Sequence, residues 1–351
     1  MTAASHHVPG GGFRNPWPTA EGDRHTFADA LRWQWQRLRH GVPPNPPSAL
    51  LPLAPGAVVH PRNAAADLHV TWVGHATFLV QVGGWNVLTD PIWSERASPV
   101  QWAGPTRLVP PGLRLEELPP VDAIVLSHDH YDHLDAPTVD RLRDRFGTAL
   151  RWITPLGYRD WFRSRRVEVT ELDWWDRVVL EDGGRRLEIH AAPAQHWTRR
   201  TPLQQFDRLW ASFALLAGCG ARVFFGGDTG YFPGFPEIRE RFGPFDALLL
   251  PIGAYEPRWF MRAVHMNPEE AVRAYGELGG GGVLVPMHWG TFRMTDEDVL
   301  EPPRRLQEAA ARATLRPENV ALLRHGETAR VPVAARAGDR GKDGPAPVSG
   351  A

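Results

Sequence analysis

A single cysteine, Cys219, is present among the 351 residues, so an intramolecular disulfide is excluded. Long apolar runs are also lacking, because nowhere do about 18 consecutive apolar residues occur without a charge. The first residues do not show the basic-then-apolar pattern of a secretory signal. The sequence therefore predicts a cytoplasmic protein that does not span a membrane.

Net charge is almost absent as well. A formal charge of −1 at pH 7, without a dense stripe of Lys and Arg, disfavours nucleic acid as a partner. By contrast, tryptophan is abundant: 15 are present, and this side chain suits the boundary between water and apolar material. The 34 prolines and 34 glycines indicate many irregular loops around short strands.

Composition divides the chain into four parts. Residues 1–14 are small, polar and glycine-rich, which predicts a disordered end in which His6 and His7 are not metal ligands. Residues 15–66 form an extension with a helix and a proline-rich linker, and residues 67–333 form the main domain. Residues 334–351 lack apolar periodicity, which predicts a second disordered end.

The extension contains an amphipathic helix at Thr26–Arg39, before the stop at Gly41-Val42-Pro43-Pro44. Its spacing places four apolar side chains on one face: Phe27, Leu31, Trp35 and Leu38. We expect this face to cover the main domain. The alternative is a helix that lies on a lipid surface.

Short β-rich runs and turn residues dominate the main domain. Strands are predicted at His69–Val73, Phe78–Val82, Asn86–Thr89, Ala123–Leu126, Arg151–Thr154, Arg185–Ala191, Ala211–Leu216, Ala221–Phe225, Ala247–Leu250, Gly282–Pro286 and Ala321–Leu323. Helices are predicted at Ala136–Arg145, Gly157–Arg163, Pro268–Glu277 and Pro302–Ala313. This mixture of antiparallel meanders and crossover helices predicts an α/β fold of two packed sheets flanked by helices.

The most specific motif is Ser127-His128-Asp129-His130-Tyr131-Asp132-His133, directly after a predicted strand. Four candidate ligands crowd this loop: His128, His130, Asp132 and His133. Imidazole and carboxylate groups suit an ion such as Zn²⁺. Four groups in six residues do not all reach one ion comfortably, but they can serve two neighbouring ions. The motif therefore predicts a metal site and not a solvated loop.

Three further polar residues each follow an apolar β-rich run. They are His196 after Leu187–Pro193, Asp228 after Val223–Phe225, and His288 after Val283–Val285. Strand ends provide a rigid scaffold with convergent loops. A single histidine in such a place is more often a hydrogen-bonded structural residue. Together with the histidine-rich loop, however, these residues complete two coordination spheres.

The loop with its later His, Asp and His residues resembles the pattern of the metallo-β-lactamase superfamily. Longer segments resemble the N-acyl-phosphatidylethanolamine-hydrolysing phospholipase D family and extend over most of the chain between Asn15 and Phe292. These segments are Asn15–Pro18, Thr89–Ile92, His128–Asp135, Gln195–Trp197, Gly227–Tyr231, Pro251–Met261, Asn267–Ala271 and His288–Phe292.

The resemblance implies an αββα sandwich of two mixed β-sheets flanked by helices and a pair of Zn²⁺ ions, with other divalent transition metals as alternatives. It assigns His128, His130 and His196 to one ion, Asp132, His133 and His288 to the other, and Asp228 to both. Hydroxide between the ions then attacks the phosphorus of N-acyl-phosphatidylethanolamine and releases N-acylethanolamine and phosphatidic acid. The implied catalytic residues are Asp132, Asp228 and His265, the last of them near the substrate.

Several residues have two interpretations. Asn267, with Pro268 and Glu270, has the pattern of a helix cap, which is a structural role. His75 and Asp90 each follow a predicted strand, where they either support metal ligands or pack in a turn. Three aromatic residues are candidates for the wall of an acyl pocket, although core packing is the commoner role: Tyr255, Trp259 and Phe260.

Two other functions compete with the phospholipid hydrolase at a membrane surface. A sugar-phosphate lactonase would use the same metal pair to attack carbon. A non-catalytic metal-binding protein is a weaker alternative, because all seven ligand positions are filled. A homodimer is compatible with the sequence.

Overall fold

The computed structural model describes residues 6–17, 27–51, 53–201 and 204–335. The strands are β1 (Leu68–Gly74), β2 (Thr77–Val82), β3 (Trp85–Thr89), β4 (Ala123–Val125), β5 (Arg151–Pro155), β6 (Val169–Leu172), β7 (Arg177–Asp182), β8 (Arg185–Ala192), β9 (Arg199–Thr201), β10 (Gln204–Gln205), β11 (Ser212–Ala217), β12 (Arg222–Phe225), β13 (Ala247–Pro251), β14 (Val283–Met287) and β15 (Thr328–Val331). The helices are α1 (Phe27–His40), α2 (Ala136–Phe146), α3 (Arg159–Arg163), α4 (Phe235–Phe242), α5 (Arg258–Met261), α6 (Pro268–Glu277) and α7 (Glu301–Arg312).

The first large sheet has the order β15-β1-β2-β3-β4-β5-β6. Its first four strands pair antiparallel, and pairing from β3 to β6 is parallel. The predicted opening meander is present. Gly83 and Gly84 join β2 to β3 with φ angles of 60° and 78°, the backbone that a two-residue hairpin turn needs and that glycine adopts without strain.

The second large sheet has the order β14-β13-β12-β11-β8-β7. Pairing from β7 to β12 is antiparallel, and β12, β13 and β14 are parallel. A short ribbon of β9 and β10 is separate from both sheets. Each large sheet is therefore mixed, as the sequence resemblance implied.

Alternate side chains of the strands fill different layers, because successive residues of a strand point to opposite faces. Trp72 and Phe213, from different sheets, belong to one core that the two sheets share. Leu79 packs on the other face of the first sheet with residues of α2. Phe224 packs on the other face of the second sheet with residues of α4, α6 and α7. This layering confirms the predicted αββα sandwich.

The N-terminal segment differs from the expected disordered end. Within residues 6–17, Phe13 is buried and its N–H donates to the carbonyl of Phe206 at 2.8 Å. Asn15 Nδ2 donates to the carbonyl of His196 at 2.9 Å, and the ring of Trp17 lies 4.7 Å from that of Phe232. Buried aromatic contacts thus hold this segment against the main domain.

Helix α1 forms where it was predicted, but its expected orientation is wrong. Leu31, Trp35 and Leu38 are 54%, 55% and 87% exposed, so they do not cover the main domain. The other face packs instead: Trp33 Nε1 donates to Asp296 Oδ2 at 2.5 Å. Arg37 also pairs with Asp296, at 3.1 Å. The face of α1 that packs on the main domain is therefore the one opposite the apolar stripe.

Other sequence predictions differ at the weaker elements. Ala321–Leu323 is not a strand, since only the neighbouring Val320 bridges to Leu284, and β15 closes the first sheet instead. The sequence did not predict β6, β7, β9, β10, β15, α4 or α5. The expected disordered tail lies mostly outside the described residues, which end at Ala335. No helix in the described part of the chain is long and apolar enough to cross a bilayer.

Candidate metal centre

The candidate ligands lie on loops at the carboxyl ends of strands. β1, β3 and β4 run in one direction within the first sheet, and β8, β12 and β14 run in one direction within the second. A polar side chain follows each of these strands: His75, Asp90, His128, His196, Asp228 and His288, in that order. The structure brings all six into one buried cluster, together with His130, Asp132 and His133.

The first group of ligand atoms consists of three imidazole nitrogens. His128 Nε2 lies 2.8 Å from His130 Nδ1, and His196 Nε2 lies 3.3 Å from the same His130 atom. His128 and His196 are fully buried, and His130 is slightly more exposed. These are the three residues that the sequence resemblance assigned to one ion.

The second group contains Asp132, His133 and His288. His133 Nε2 lies 3.4 Å from Asp132 Oδ2, and His288 Nε2 lies 3.3 Å from it. His75 joins this group, because its Nε2 lies 2.9 Å from the same carboxylate oxygen. His75 therefore supports a candidate ligand directly, which resolves its two interpretations in favour of the site.

Asp228 lies between the two groups. Its Oδ2 is 3.1 Å from His288 Nε2 and 3.2 Å from His133 Nε2. The same oxygen is 3.9 Å from the Nε2 atoms of both His128 and His196. One carboxylate oxygen thus approaches ligand nitrogens from both groups.

Hydrogen bonds orient three of the histidines with Nε2 toward the cluster. His133 Nδ1 lies 2.6 Å from Asp90 Oδ2, and His196 Nδ1 lies 2.9 Å from the carbonyl of Val264. His128 Nδ1 lies 2.9 Å from Ser127 Oγ, which itself donates to Asp90 at 2.5 Å. Since Nδ1 donates in each case, each ring in its neutral form keeps the Nε2 lone pair for a metal ion.

Burial and mutual charge set the protonation of the cluster. Burial lowers the pKa of His196 to about 3 and that of His128 well below its ordinary value. Burial raises the pKa of a carboxyl group, yet the imidazoles of His133 and His288 lower the pKa of Asp228 well below its usual range. Burial opposes charge at His133 as well, but Asp228 and Asp132 raise its pKa well above 6.5. Asp132 and Asp228 therefore stabilise positive charge beside them in the cluster.

The residues present fit divalent transition ions. Asp228 Oδ1 is buried and has no hydrogen-bond partner among the described residues. An unpaired buried polar group costs about 1–3 kcal/mol, and coordination to an ion would offset that cost. Imidazole nitrogens and carboxylate oxygens are the donors that zinc and similar ions bind.

His265 borders the same cluster. Its Nδ1 lies 3.9 Å from Asp228 Oδ2 and has no hydrogen-bond partner among the described residues. Burial lowers the pKa of His265 to about 3, so the ring is neutral at pH 7. The adjacent helix cap has the predicted structural role: Asn267 Oδ1 accepts from the N–H of Glu270 at 2.9 Å, and the Glu270 carboxylate accepts from the N–H of Asn267 at 3.1 Å.

The three aromatic candidates for a pocket wall have different surroundings. Tyr255 is fully buried, and its hydroxyl donates to Glu301 Oε1 at 3.0 Å, which is a core role. Trp259 and Phe260 lie on α5 and contact α1. The guanidinium of Arg32 is 4.3 Å from the Trp259 ring centre, and the ring of Trp33 is 5.0 Å from that of Phe260. Helix α1 therefore packs on the segment that leads to His265.

Two supporting residues were not predicted from the sequence. Thr291 Oγ1 accepts from the N–H of His75 at 2.6 Å, and His325 Nε2 lies 2.8 Å from that hydroxyl. Thr291 follows His288 closely and belongs to a segment that carries the family resemblance. His325 was not predicted, because the sequence around it shows no pattern typical of a metal or catalytic site.

Comparison with known proteins agrees with the fold. The family described as the Beta-lactamase superfamily domain matches residues 85–289. An uncharacterised protein of Mycobacterium tuberculosis is 45% identical over 269 residues, which cover 75% of this chain and 69% of that protein. N-acyl-phosphatidylethanolamine-hydrolyzing phospholipase D 1 of Caenorhabditis elegans is 40% identical over 274 residues, 76% of each chain.

A solved structure shows the same fold at lower identity. A metallo hydrolase of the archaeon Ignicoccus hospitalis is similar with a TM-score of 0.56 and 23% identity, over 75% of this chain and 98% of that one. The chain therefore belongs to the metallo-β-lactamase superfamily of metal-dependent hydrolases and, within it, to the N-acyl-phosphatidylethanolamine-hydrolysing phospholipase D family.

Proposed function

We propose that this protein holds two zinc ions and hydrolyses N-acyl-phosphatidylethanolamine to N-acylethanolamine and phosphatidic acid. One ion would be held by His128, His130 and His196, and the other by Asp132, His133 and His288, with Asp228 binding both. When bound, such a pair activates water near neutral pH and stabilises negative charge on phosphoryl oxygens.

The position of Asp228 carries this proposal. Its Oδ2 lies 3.1 Å from His288 Nε2 on one side and 3.9 Å from His128 Nε2 on the other. A single-ion site would not need a carboxylate between two sets of imidazoles. A four-coordinate zinc site also has too few positions for seven ligand residues, so two ions account better for the donor set.

His265 is the residue that we assign to the substrate. It is neutral at pH 7 because burial lowers its pKa to about 3, and its Nδ1 has no partner among the described residues. A neutral imidazole at this position can donate one hydrogen bond to a phosphoryl oxygen and so orient the phosphodiester beside Asp228. His265 would thereby favour attack at phosphorus.

The substrate assignment is supported by the Caenorhabditis elegans phospholipase D 1 described above, which is 40% identical over 76% of this chain. The exposed face of α1 supports delivery from a lipid surface. Leu31, Trp35 and Leu38 are spaced to share one face of the helix, and Arg39 lies over the Trp35 ring at 5.2 Å. The opposite face contacts α5, so α1 would lie between a bound lipid surface and the segment that leads to His265.

The test is product analysis with the metal-loaded enzyme and micelles of N-acyl-phosphatidylethanolamine. We expect N-acylethanolamine and phosphatidic acid in equal amounts. Phosphatidylethanolamine without the N-acyl chain should be cleaved much more slowly. A panel of simple lactones and carboxylic esters runs in parallel. Rapid lactone opening without lipid turnover would contradict the proposal and favour a lactonase.

A further inference from the structure

A second cluster of side chains of the types that can hold a metal ion shares no residue with the candidate metal centre. His6 Nε2 lies 2.6 Å from Asp173 Oδ1, and His7 Nε2 lies 2.7 Å from Asp173 Oδ2. One ligand atom from each of the three residues lies within 4.8 Å of the others. Asp173 directly follows β6, so the cluster joins the N-terminal segment to a distant part of the chain.

The backbone of residues 6–14 holds the two histidines in place. A reversal at Val8–Gly12 closes with hydrogen bonds of 3.0 Å, from Val8 N–H to the Gly12 carbonyl and from Gly11 N–H to the Val8 carbonyl. His7 forms a β-bridge with Phe13, and Arg14 N–H donates to the His6 carbonyl at 2.9 Å. This local structure presents both imidazoles on the side that faces Asp173.

The surroundings of the cluster limit its freedom further. The ring of His6 stacks on that of Trp174 at 4.2 Å with an angle of 23°, and Trp174 N–H donates to Asp173 Oδ1 at 2.8 Å. Partial burial would raise the pKa of Asp173, but the hydrogen bonds of His6 and His7 lower it to about 2. The carboxylate is therefore ionised at neutral pH, as a metal ligand must be.

We propose that His6, His7 and Asp173 bind a divalent transition ion, zinc being the best match, and that this ion fastens the N-terminal segment to the domain. Two imidazoles and one carboxylate are an established donor set for zinc, with ligand atoms roughly 3.3 Å apart in a tetrahedron. Small side-chain movements reach that spacing from the present contacts. The His7 side chain is 47% exposed, so water has access to a fourth position. This proposal departs from the sequence-based expectation that neither histidine binds metal.

The competing arrangement is a clamp of two hydrogen bonds without an ion, and metal uptake separates the two. The untagged enzyme, with its main centre fully loaded and loose metal removed, is titrated with Zn²⁺ by calorimetry. We expect one further equivalent per chain in the wild type. His7→Asn and Asp173→Asn should each weaken this uptake at least tenfold.

Matched controls are His40→Asn and Asp160→Asn, an exposed histidine and an exposed carboxylate outside the cluster. Both should take up the further equivalent as the wild type does. No further uptake by the wild type, or equal uptake by the wild type and the two cluster variants, would overturn the proposal. His7→Asn is the decisive variant, because it removes one proposed ligand at a half-exposed position and leaves His6 and Asp173 in place.

A second measurement reports on the fastening itself. Arg14 is exposed and lies just after the histidines, so trypsin cleavage after it reports release of this segment. Added Zn²⁺ should slow this cleavage at least fivefold in the wild type and have no effect in His7→Asn. Equal protection of both proteins would mean that zinc acts elsewhere.

Discussion

Asp90 connects the two ends of the histidine-rich loop. Its Oδ1 accepts from the N–H of Ser127 at 2.7 Å, and its Oδ2 accepts from Ser127 Oγ at 2.5 Å and from His133 Nδ1 at 2.6 Å. The side chain is fully buried. We predict that Asp90→Asn weakens metal binding, because the amide nitrogen that replaces one oxygen donates a hydrogen bond and does not accept one.

The magnitude follows from the contacts that change. If the amide nitrogen takes the place of Oδ2, the donors on Ser127 and His133 both lose their acceptor. Loss of such a partner of a metal-binding histidine typically costs about 10–100-fold in metal affinity or activity. Each buried donor left unpaired costs about 1–3 kcal/mol, so the free energy of unfolding should fall by roughly 2–6 kcal/mol.

The assay is chelator competition for metal affinity, with kcat/KM and thermal unfolding measured on the same preparations. Asp246→Asn is the matched control: this buried carboxylate accepts from the N–H groups of Arg222 at 2.8 Å and Ala334 at 2.9 Å, and it belongs to no candidate metal cluster. The control should lose stability but keep its metal affinity. Wild-type metal affinity in Asp90→Asn would show that Asp90 does not support metal binding.

Three further predictions use the same preparations. Asp228→Asn should reduce turnover to background because it removes the ligand between the two groups, and near-wild-type activity at full metal occupancy would contradict its assignment. Trp35→Ser should bind lipid vesicles about tenfold more weakly than the control Trp102→Ser, which replaces another exposed tryptophan. The reason is that burial of one large apolar side chain contributes about 1.5–3 kcal/mol to binding. Equal binding of the two variants would exclude a role for α1. Burial lowers the pKa values of four cluster histidines from 6.5 to about 3 or 4, and these are His75, His130, His196 and His265. The unfolded chain therefore binds more protons than the folded one in this range, and the metal-stripped protein should lose stability as pH falls from about 6.5 toward 3. A melting temperature that does not change over this range would show that these rings are not buried neutral.

The sequence was most informative where strands are buried on both faces. Runs such as Ala123–Val125 and Ala247–Pro251 are apolar throughout, and a polar residue directly after such a run marks a strand end. The predicted ligands therefore came from a local pattern, and the structure places all seven together. Their roles in binding and catalysis remain predictions.

Features that depend on distant contacts were not predictable in this way. β6 and β7 are partly exposed and show no regular alternation, so their periodicity carries little signal. The apolar stripe of α1 predicted a buried face, but its orientation is set by Asp296, more than 250 residues away. The contacts of His6 and His7 with Asp173 were also not predictable, because nothing near the histidines in the sequence indicates their partner.

Isotope labelling distinguishes the proposed hydrolysis at phosphorus from attack at carbon. The metal-loaded enzyme is incubated with micellar N-acyl-phosphatidylethanolamine in ¹⁸O-water, and the position of the label is read by mass spectrometry. We expect the label in phosphatidic acid and none in the N-acylethanolamine. Label in a free fatty acid, or in the ethanolamine hydroxyl, would show attack at carbon and rule out the proposed reaction.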